Sequence, residues 1–218
     1  MFKNISFILA LSSIFLVTSC NTSNLKPDNA STTDPNNGLL LASVTLGKKK
    51  ESFMRKSYMH VTFMIVQAKD VPGKEKKETK LISFDNTERY FISSHGAGVF
   101  TQTNELKEYG AEGRIQVEQL PPGEYAIIGW EIYLPGIPER TINSNDFTPS
   151  YFTLKAGEIT YIGNLHVDAL YGKNLLGITI VGGGQSKCSD MSSRDIMIFN
   201  EKFQAIKHLP LSNQIVRC

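Results

Sequence analysis

The sequence predicts a mainly β protein, an antiparallel β-sandwich carrying one C-terminal α-helix. Three observations carry this expectation. Apolar runs with a period of two recur through the middle of the chain, separated by turns rich in Gly and Pro. Aromatic and β-branched residues, which suit a pleated surface, are common in those runs. Near the C-terminus the period changes, and Ile196, Phe199, Phe203 and Ile206 fall at the spacing of one helical stripe. With 218 residues, 41% of them hydrophobic and 20% charged, the chain can bury a sizeable core in one ordinary domain with extras. Its 23 basic and 21 acidic residues nearly cancel, so no nucleic-acid footprint is expected.

The elements follow in order. Lys3 supplies a positive start, and Ile5 to Val17 form an apolar stretch broken by Ser6, Ser12 and Ser13. A membrane span needs about 20 residues, so this stretch has instead the layout of a cleaved secretory signal, expected over residues 1–19. The segment Val17-Thr18-Ser19-Cys20 resembles the lipobox of bacterial lipoproteins. That resemblance implies cleavage before Cys20, a diacylglyceryl group on its thiol and acylation of the new amino terminus. One acyl chain gives reversible attachment, whereas three anchor permanently. Asn21 in place of Asp favours export to an outer membrane, by the sorting rule of enteric bacteria. Residues 21–38, NTSNLKPDNASTTDPNNG, are almost wholly polar and predict a flexible linker behind the lipidated cysteine.

The sandwich is expected over residues 39–187. Leu39 to Gly47 and Tyr58 to Ala68 read as its first strands, and the charged GKKKESFMRK between them as a solvated hairpin loop. KDVPGKEKKETK, residues 69–80, is a charged turn; Glu75 follows Gly73-Lys74, so the phosphate-loop pattern fails. Shorter strands are predicted at Leu81 to Phe84, Tyr90 to Ser93 and Gly98 to Thr103. Arg114 to Leu120 and Glu124 to Leu134 form a predicted pair joined by Pro121-Pro122-Gly123, with Ala126, Ile128, Trp130, Ile132 and Leu134 on one core face. Trp130 reads as a core anchor. Tyr151 to Leu154 and Glu158 to Asp168 follow; in the latter, Ile159, Tyr161, Gly163, Leu165 and Val167 point inward, while Thr160, Ile162, Asn164, His166 and Asp168 share the other face. Leu175 to Val181 is the last strand, closed by Gly182-Gly183-Gly184. Residues 188–218 supply the helix, expected from Ser193 to Ala205 with Ser192 as its N-cap, and a tail packed on the sandwich.

The stretch LPPGEYAIIGWEI, residues 120–132, resembles the Pro-Gly-x-Tyr hairpin of prealbumin-like (transthyretin-like) sandwiches, found in carboxypeptidase regulatory-like domains and Cna B-type repeats. FTLKAGEITYIGNL, residues 152–165, resembles a segment of bacterial envelope lipoproteins. Together these imply a prealbumin- or Ig-like sandwich, a fold that hosts adhesins, assembly factors and spacers alike.

With Cys20 assigned to lipid, Cys188 and Cys218 remain. In an exported protein they are a natural disulfide; two free thiols or a cysteine on another chain are the alternatives. The four histidines, His60, His95, His166 and His208, stand at none of the familiar metal-binding spacings, and no metal or cofactor is expected. No G-x-S-x-G elbow exists, and SSHGAG around His95 reads as a turn, so no catalytic residue is assigned. Asn164, His166 and Asp168 form the one polar alternation that a metal or acid–base site would use; a solvent-facing strand surface is the better reading.

The resulting expectation is a non-enzymatic envelope lipoprotein, held to the membrane by its lipid and acting through a protein partner. The alternative is a module binding envelope glycan or lipid through exposed aromatics such as Tyr133 and Tyr151. A hydrolase assembled from distant strands is the third.

Overall fold

The computed structural model describes residues 25–27, 30, 33–47, 59–71, 89–94, 105–134, 140–144 and 147–218. The expected signal segment, Cys20, the basic loop after Gly47, the expected strands at 81–84 and 98–103, and His95 lie outside the described residues. Within them the chain forms strands β1 (Gly38–Gly47), β2 (His60–Gln67), β3 (Arg89–Ser93), β4 (Gly113–Leu120), β5 (Gly123–Leu134), β6 (Arg140–Asn143), β7 (Ser150–Leu154), β8 (Ile159–Lys173) and β9 (Thr179–Ser189). Helix α1 (Ser192–Lys202) and the short strand β10 (Leu211–Asn213) complete it.

Two sheets face each other. The first runs β10–β8–β1–β4, with β9 also paired to β8; the second runs β3–β2–β5–β6, with β7 also paired to β5. Between them lies a core of Leu40, Val44, Val61, Phe63, Ile65, Tyr125, Trp130, Ile132, Leu165 and Val167, among others. A second apolar cluster sits on the outer face of the first sheet. There Ile198, Phe199, Phe203 and Ile206 cover Leu39, Leu41, Ile115, Val117, Ile159 and Tyr161. The sandwich with one packed helix is therefore present, as a three-layer stack.

β1 explains why its sequence reads GLLLASVTLG. It is the middle strand of the stack and is covered on both faces, a setting that selects nearly continuous apolar runs.

Several local expectations are corrected. The first sheet is mixed rather than antiparallel, because β8 runs parallel to both β1 and β10. A parallel pair needs a long crossover, and here the β1-to-β8 connection includes the entire second sheet. The β4–β5 pair is not a hairpin: the strands belong to different sheets, and Pro121-Pro122 turns the corner between them. The buried Tyr125 fastens that corner, donating its hydroxyl to the Pro121 carbonyl at 2.8 Å. This is the geometry of a tyrosine corner. β1 and β2 also lie in different sheets and so do not form a hairpin.

Two β-bulges reverse the predicted alternation. In β5, Met64 pairs with Gly129 but Ile65 with Ile127, which leaves Ile128 as the extra residue. Tyr125 and Ile127 therefore enter the inter-sheet core, as do Trp130 and Ile132 beyond the bulge, whereas Ile128 is only half-buried. In β8, Leu41 pairs with Tyr161 but Ser43 with Asn164. The inward set splits accordingly. Ile159 and Tyr161 face α1, while Ile162, Leu165 and Val167 face the other sheet. Gly163 makes the bulge possible at φ 106°, a conformation other residues rarely adopt.

The triple glycine lies inside β9 rather than closing it, paired across from Leu170 and Ala169. α1 ends at Lys202, three residues before the expected end, and its buried positions are Asp195, Ile198 and Phe199. Ser192 is not the cap: its amide donates to the Asp190 carboxylate at 2.9 Å. That bond and a second from the Ser192 side chain hold the exposed Asp190 carboxyl below its usual range.

The expected linker is also partly docked. Ala30 is fully buried in the helix-side cluster, the Leu25 amide donates to the Val117 carbonyl at 2.8 Å, and the Asp34 amide to Gln119 Oε1 at 3.2 Å.

Candidate functional site

The polar side chains of β1 and β8 that face α1 form one connected array. Ser43 and Thr45 interrupt the apolar run of β1 at alternate positions, on the face of Leu39 and Leu41. The β8 bulge puts Asn164, His166 and Asp168 beside them, with Ser43 opposite Asn164 and Thr45 opposite His166. The predicted alternation of these three on one face is thus present, and β1 supplies the residues that join them.

At the helix end of the array Asp195 is fully buried. One carboxylate oxygen accepts from Ser43 Oγ and from the Tyr161 hydroxyl, each at 2.6 Å. The other accepts from Arg194 Nε at 2.7 Å. Arg194 Nη2 also donates to Ser43 Oγ at 3.0 Å, and the Met191 amide donates to the Tyr161 hydroxyl at 3.2 Å. Burial first, and the neighbouring Asp195 carboxylate second, push the Tyr161 phenol far above its ordinary range, so it remains a donor.

The array continues outward. Asn164 Oδ1 lies 2.9 Å from Ser43 Oγ and 3.1 Å from Thr45 Oγ1. Thr45 Oγ1 is 2.8 Å from His166 Nδ1, and His166 Nε2 is 3.0 Å from Asp168 Oδ1. With Nε2–H donating to Asp168, the single Thr45 hydroxyl hydrogen is shared between two acceptors, His166 Nδ1 and Asn164 Oδ1.

A hydroxyl, an imidazole and a carboxylate in a row resemble a hydrolytic triad, but the polarity of burial is the reverse of what attack requires. Thr45 is 2% exposed, while the Asp168 side chain at the far end is 62% exposed. A triad needs the hydroxyl at the substrate and the carboxylate sheltered behind the base. What the arrangement does well is hold α1 to the sheet, since each oxygen of the buried Asp195 has a donor. Among the described residues no three His, Cys, Asp or Glu side chains converge as metal ligands.

A second feature is a cleft of about 430 Å³ at the rim of the sandwich. Trp130, Phe147, Asn143, Ser144, Gln185 and the Gly182–Gly184 tract line it. Trp130 is a core residue here, 4% exposed, that also contributes to the cleft wall. The glycine tract is what admits it: a Cβ on Gly184 would stand 2.6 Å from Trp130 Cη2 and 2.8 Å from Val167 Cγ1.

Tyr133 and Tyr151 do not form a shared platform. Tyr151 is exposed and lies opposite Ala126, while Tyr133 stacks on His60 with ring centroids 4.7 Å apart. Seven positions of extended chain separate Ala126 from Tyr133, about 23 Å at strand rise.

Cys188 and Cys218 stand at disulfide-forming distance, with Cα atoms 5.3 Å apart. The tail reaches that point along β8, the Gln214 and Val216 amides donating to the carbonyls of Tyr161 and Ile162. On the way the Gln214 side chain clasps the Thr153 backbone of β7 with two hydrogen bonds of 2.9 Å, linking the two sheets.

Sequence reasoning missed Ser43, Thr45, Tyr161, Arg194 and Asp195 as members of the array. The usable signal was the Ser43/Thr45 pair, polar at alternate positions inside a run otherwise apolar on both faces. No family model, no curated protein and no solved structure matches the chain.

Proposed function

We propose that this chain is a membrane-anchored envelope lipoprotein acting as a non-enzymatic protein-interaction or assembly module. The observation that carries the reading is Val17-Thr18-Ser19-Cys20 at the end of the apolar stretch from Ile5 to Val17. The polar array supports it in one respect: its hydrogen bonds are spent on docking α1, and its hydroxyls are turned into the protein. In this reading Cys20 is the lipidated first residue of the mature chain, and export to an outer membrane follows from Asn21.

The test is radioactive palmitate labelling of the full chain beside Cys20→Ser. Label should enter the parent and be lost in the variant, which should accumulate uncut. Normal maturation of Cys20→Ser would overturn the reading. Crosslinking followed by purification of the anchored protein then addresses the partner; a stable stoichiometric partner is the expected result.

A glycan-binding module is the second reading, favoured by the cleft beside Trp130 with its Asn143, Ser144 and Gln185 rim. Calorimetric titration with N-acetylated sugar oligomers would separate the two, since saturable binding favours the cleft.

A further inference from the structure

The last strand pair outgrows its sheet. Among the described residues β1 ends at Gly47, opposite Asp168, and beyond that point β8 and β9 continue as a two-stranded ribbon. Its base is held by Ala169 and Val181, both in the inter-sheet core. Its tip is apolar and bare: Leu175 is 106% exposed, Leu176 81%, Ile178 57% and, lower on the ribbon, Leu170 51%. Isolated exposed leucines are ordinary on a protein surface, whereas four aliphatic side chains on one projecting hairpin call for a reason.

Two further observations say what the tip suits. The first is its backbone. Asn174 closes the loop from within, its side-chain oxygen accepting from the Leu176 amide at 3.0 Å and from the Ile178 amide at 2.9 Å. The Asn174 amide donates to the Ile178 carbonyl, and the Gly177 amide to the Asn174 carbonyl. The loop is thus rigid, with most of its amides already bonded. That is the condition for entering a medium that offers the backbone no hydrogen bonds. The second is charge. From Ala169 to Ser189 there is no Asp or Glu, and the two charged residues are Lys173 and Lys187. Lys173, exposed just below the tip, is a residue type that settles at a bilayer interface with its apolar stem buried and its charge in water, while Tyr171 below it packs against the inter-sheet core.

We infer that the β8–β9 hairpin tip inserts into the surface of a lipid bilayer, with Leu175, Leu176 and Ile178 among the acyl chains and Lys173 at the headgroups. The site is convex, preorganised and free of acidic groups. It gives the domain a second membrane contact that does not rest on the fate of Cys20, and it would hold the folded body at a set orientation.

The experiment introduces a single reporter tryptophan by Leu175→Trp in the full chain, with Tyr109→Trp as the control at an exposed site elsewhere. Each protein is incorporated into vesicles of phosphatidylcholine and phosphatidylglycerol, with and without bromine on the acyl chains. The buried Trp130 supplies a constant background. The Leu175→Trp indole should shift to the blue on vesicles and be quenched by bromolipid, and the Tyr109→Trp indole should do neither. Adding Leu176→Asp should weaken the insertion roughly tenfold or more. Thermal unfolding without lipid should be unchanged, because the tip touches no core.

Water-like emission of the Leu175→Trp indole on vesicles would overturn the inference. So would a blue shift already present without lipid: if it grows with protein concentration, the tip's partner is a second copy. A shift that appears only when other envelope proteins are added would assign the tip to a protein pocket instead.

Discussion

Asp195→Ala tests whether the polar array is what holds α1 against the first sheet. The carboxylate is fully buried and accepts three hydrogen bonds, from Ser43, Tyr161 and Arg194, between 2.6 and 2.7 Å. Its removal strands the Arg194 guanidinium, whose side chain is 15% exposed, and takes away the acceptor of the Tyr161 hydroxyl. Single hydrogen bonds to charged groups contribute about 1.5–3 kcal/mol and do not add. Breaking a buried pair by removing one partner costs about 3–5 kcal/mol, which we take as the magnitude. At 2–4 °C per kcal/mol for a chain of this size, the midpoint of thermal unfolding should fall by roughly 6–20 °C. Urea unfolding read by emission of the single tryptophan, Trp130, measures the same loss at constant temperature. Asp195→Asn should cost nearly as much, since its amide sets donors against donors. Tyr161→Phe completes the cycle, and the two changes should couple by about 1–3 kcal/mol. A loss below about 1 kcal/mol, the scale of a solvent-exposed ion pair, together with zero coupling, would refute the argument.

Three more outcomes are open to measurement. Gly184→Ala forces a methyl against Trp130 and should cost about 1–3 kcal/mol with altered tryptophan emission, while Gly182→Ala, which meets nothing within 4 Å, should be near neutral. If Cys188 and Cys218 are bonded, Cys218→Ser opens a loop with a sequence separation of 30 and should lower stability by about 3–4 kcal/mol; two alkylatable thiols without reductant would instead show that no bridge forms. Burial raises the Glu131 carboxyl above its ordinary 4.5, so the folded state binds more protons just above that pH, and stability should fall as pH rises through the raised value. Glu131→Gln should flatten that part of the urea-midpoint profile and be the more stable protein at neutral pH; parallel profiles would contradict this.

The two bulges show where reading by alternation stops. A period of two identifies β5 and β8 as strands correctly, but one inserted residue reverses which side chains face the core. A glycine stands at each insertion, Gly129 beside Ile128 and Gly163 itself, but a glycine in a strand marks a possible bulge without showing that one forms. The corner at Pro121-Pro122-Gly123 is a similar case. Its residues mark a sharp turn, yet whether the turn pairs two strands or passes the chain between sheets depends on partners far away in sequence. In sequence Asp195 is only an acidic residue near the helix start, where its charge is favourable. Its burial depends on Ser43 and Tyr161, which lie 152 and 34 residues away.

Taken alone, the sequence determined the β-rich body, the late helix and the candidacy of Cys188 and Cys218 as a pair, and it raised the expectation of an address signal at the chain's start. These rest on composition, period and spacing, which are properties of neighbouring residues. Only the tertiary structure decided sheet membership, the parallel seating of β8 between β1 and β10, the saturated array around Asp195, and the bare hairpin tip. Each of those depends on which distant surfaces meet, and a strand's pattern records that a face is covered without recording what covers it.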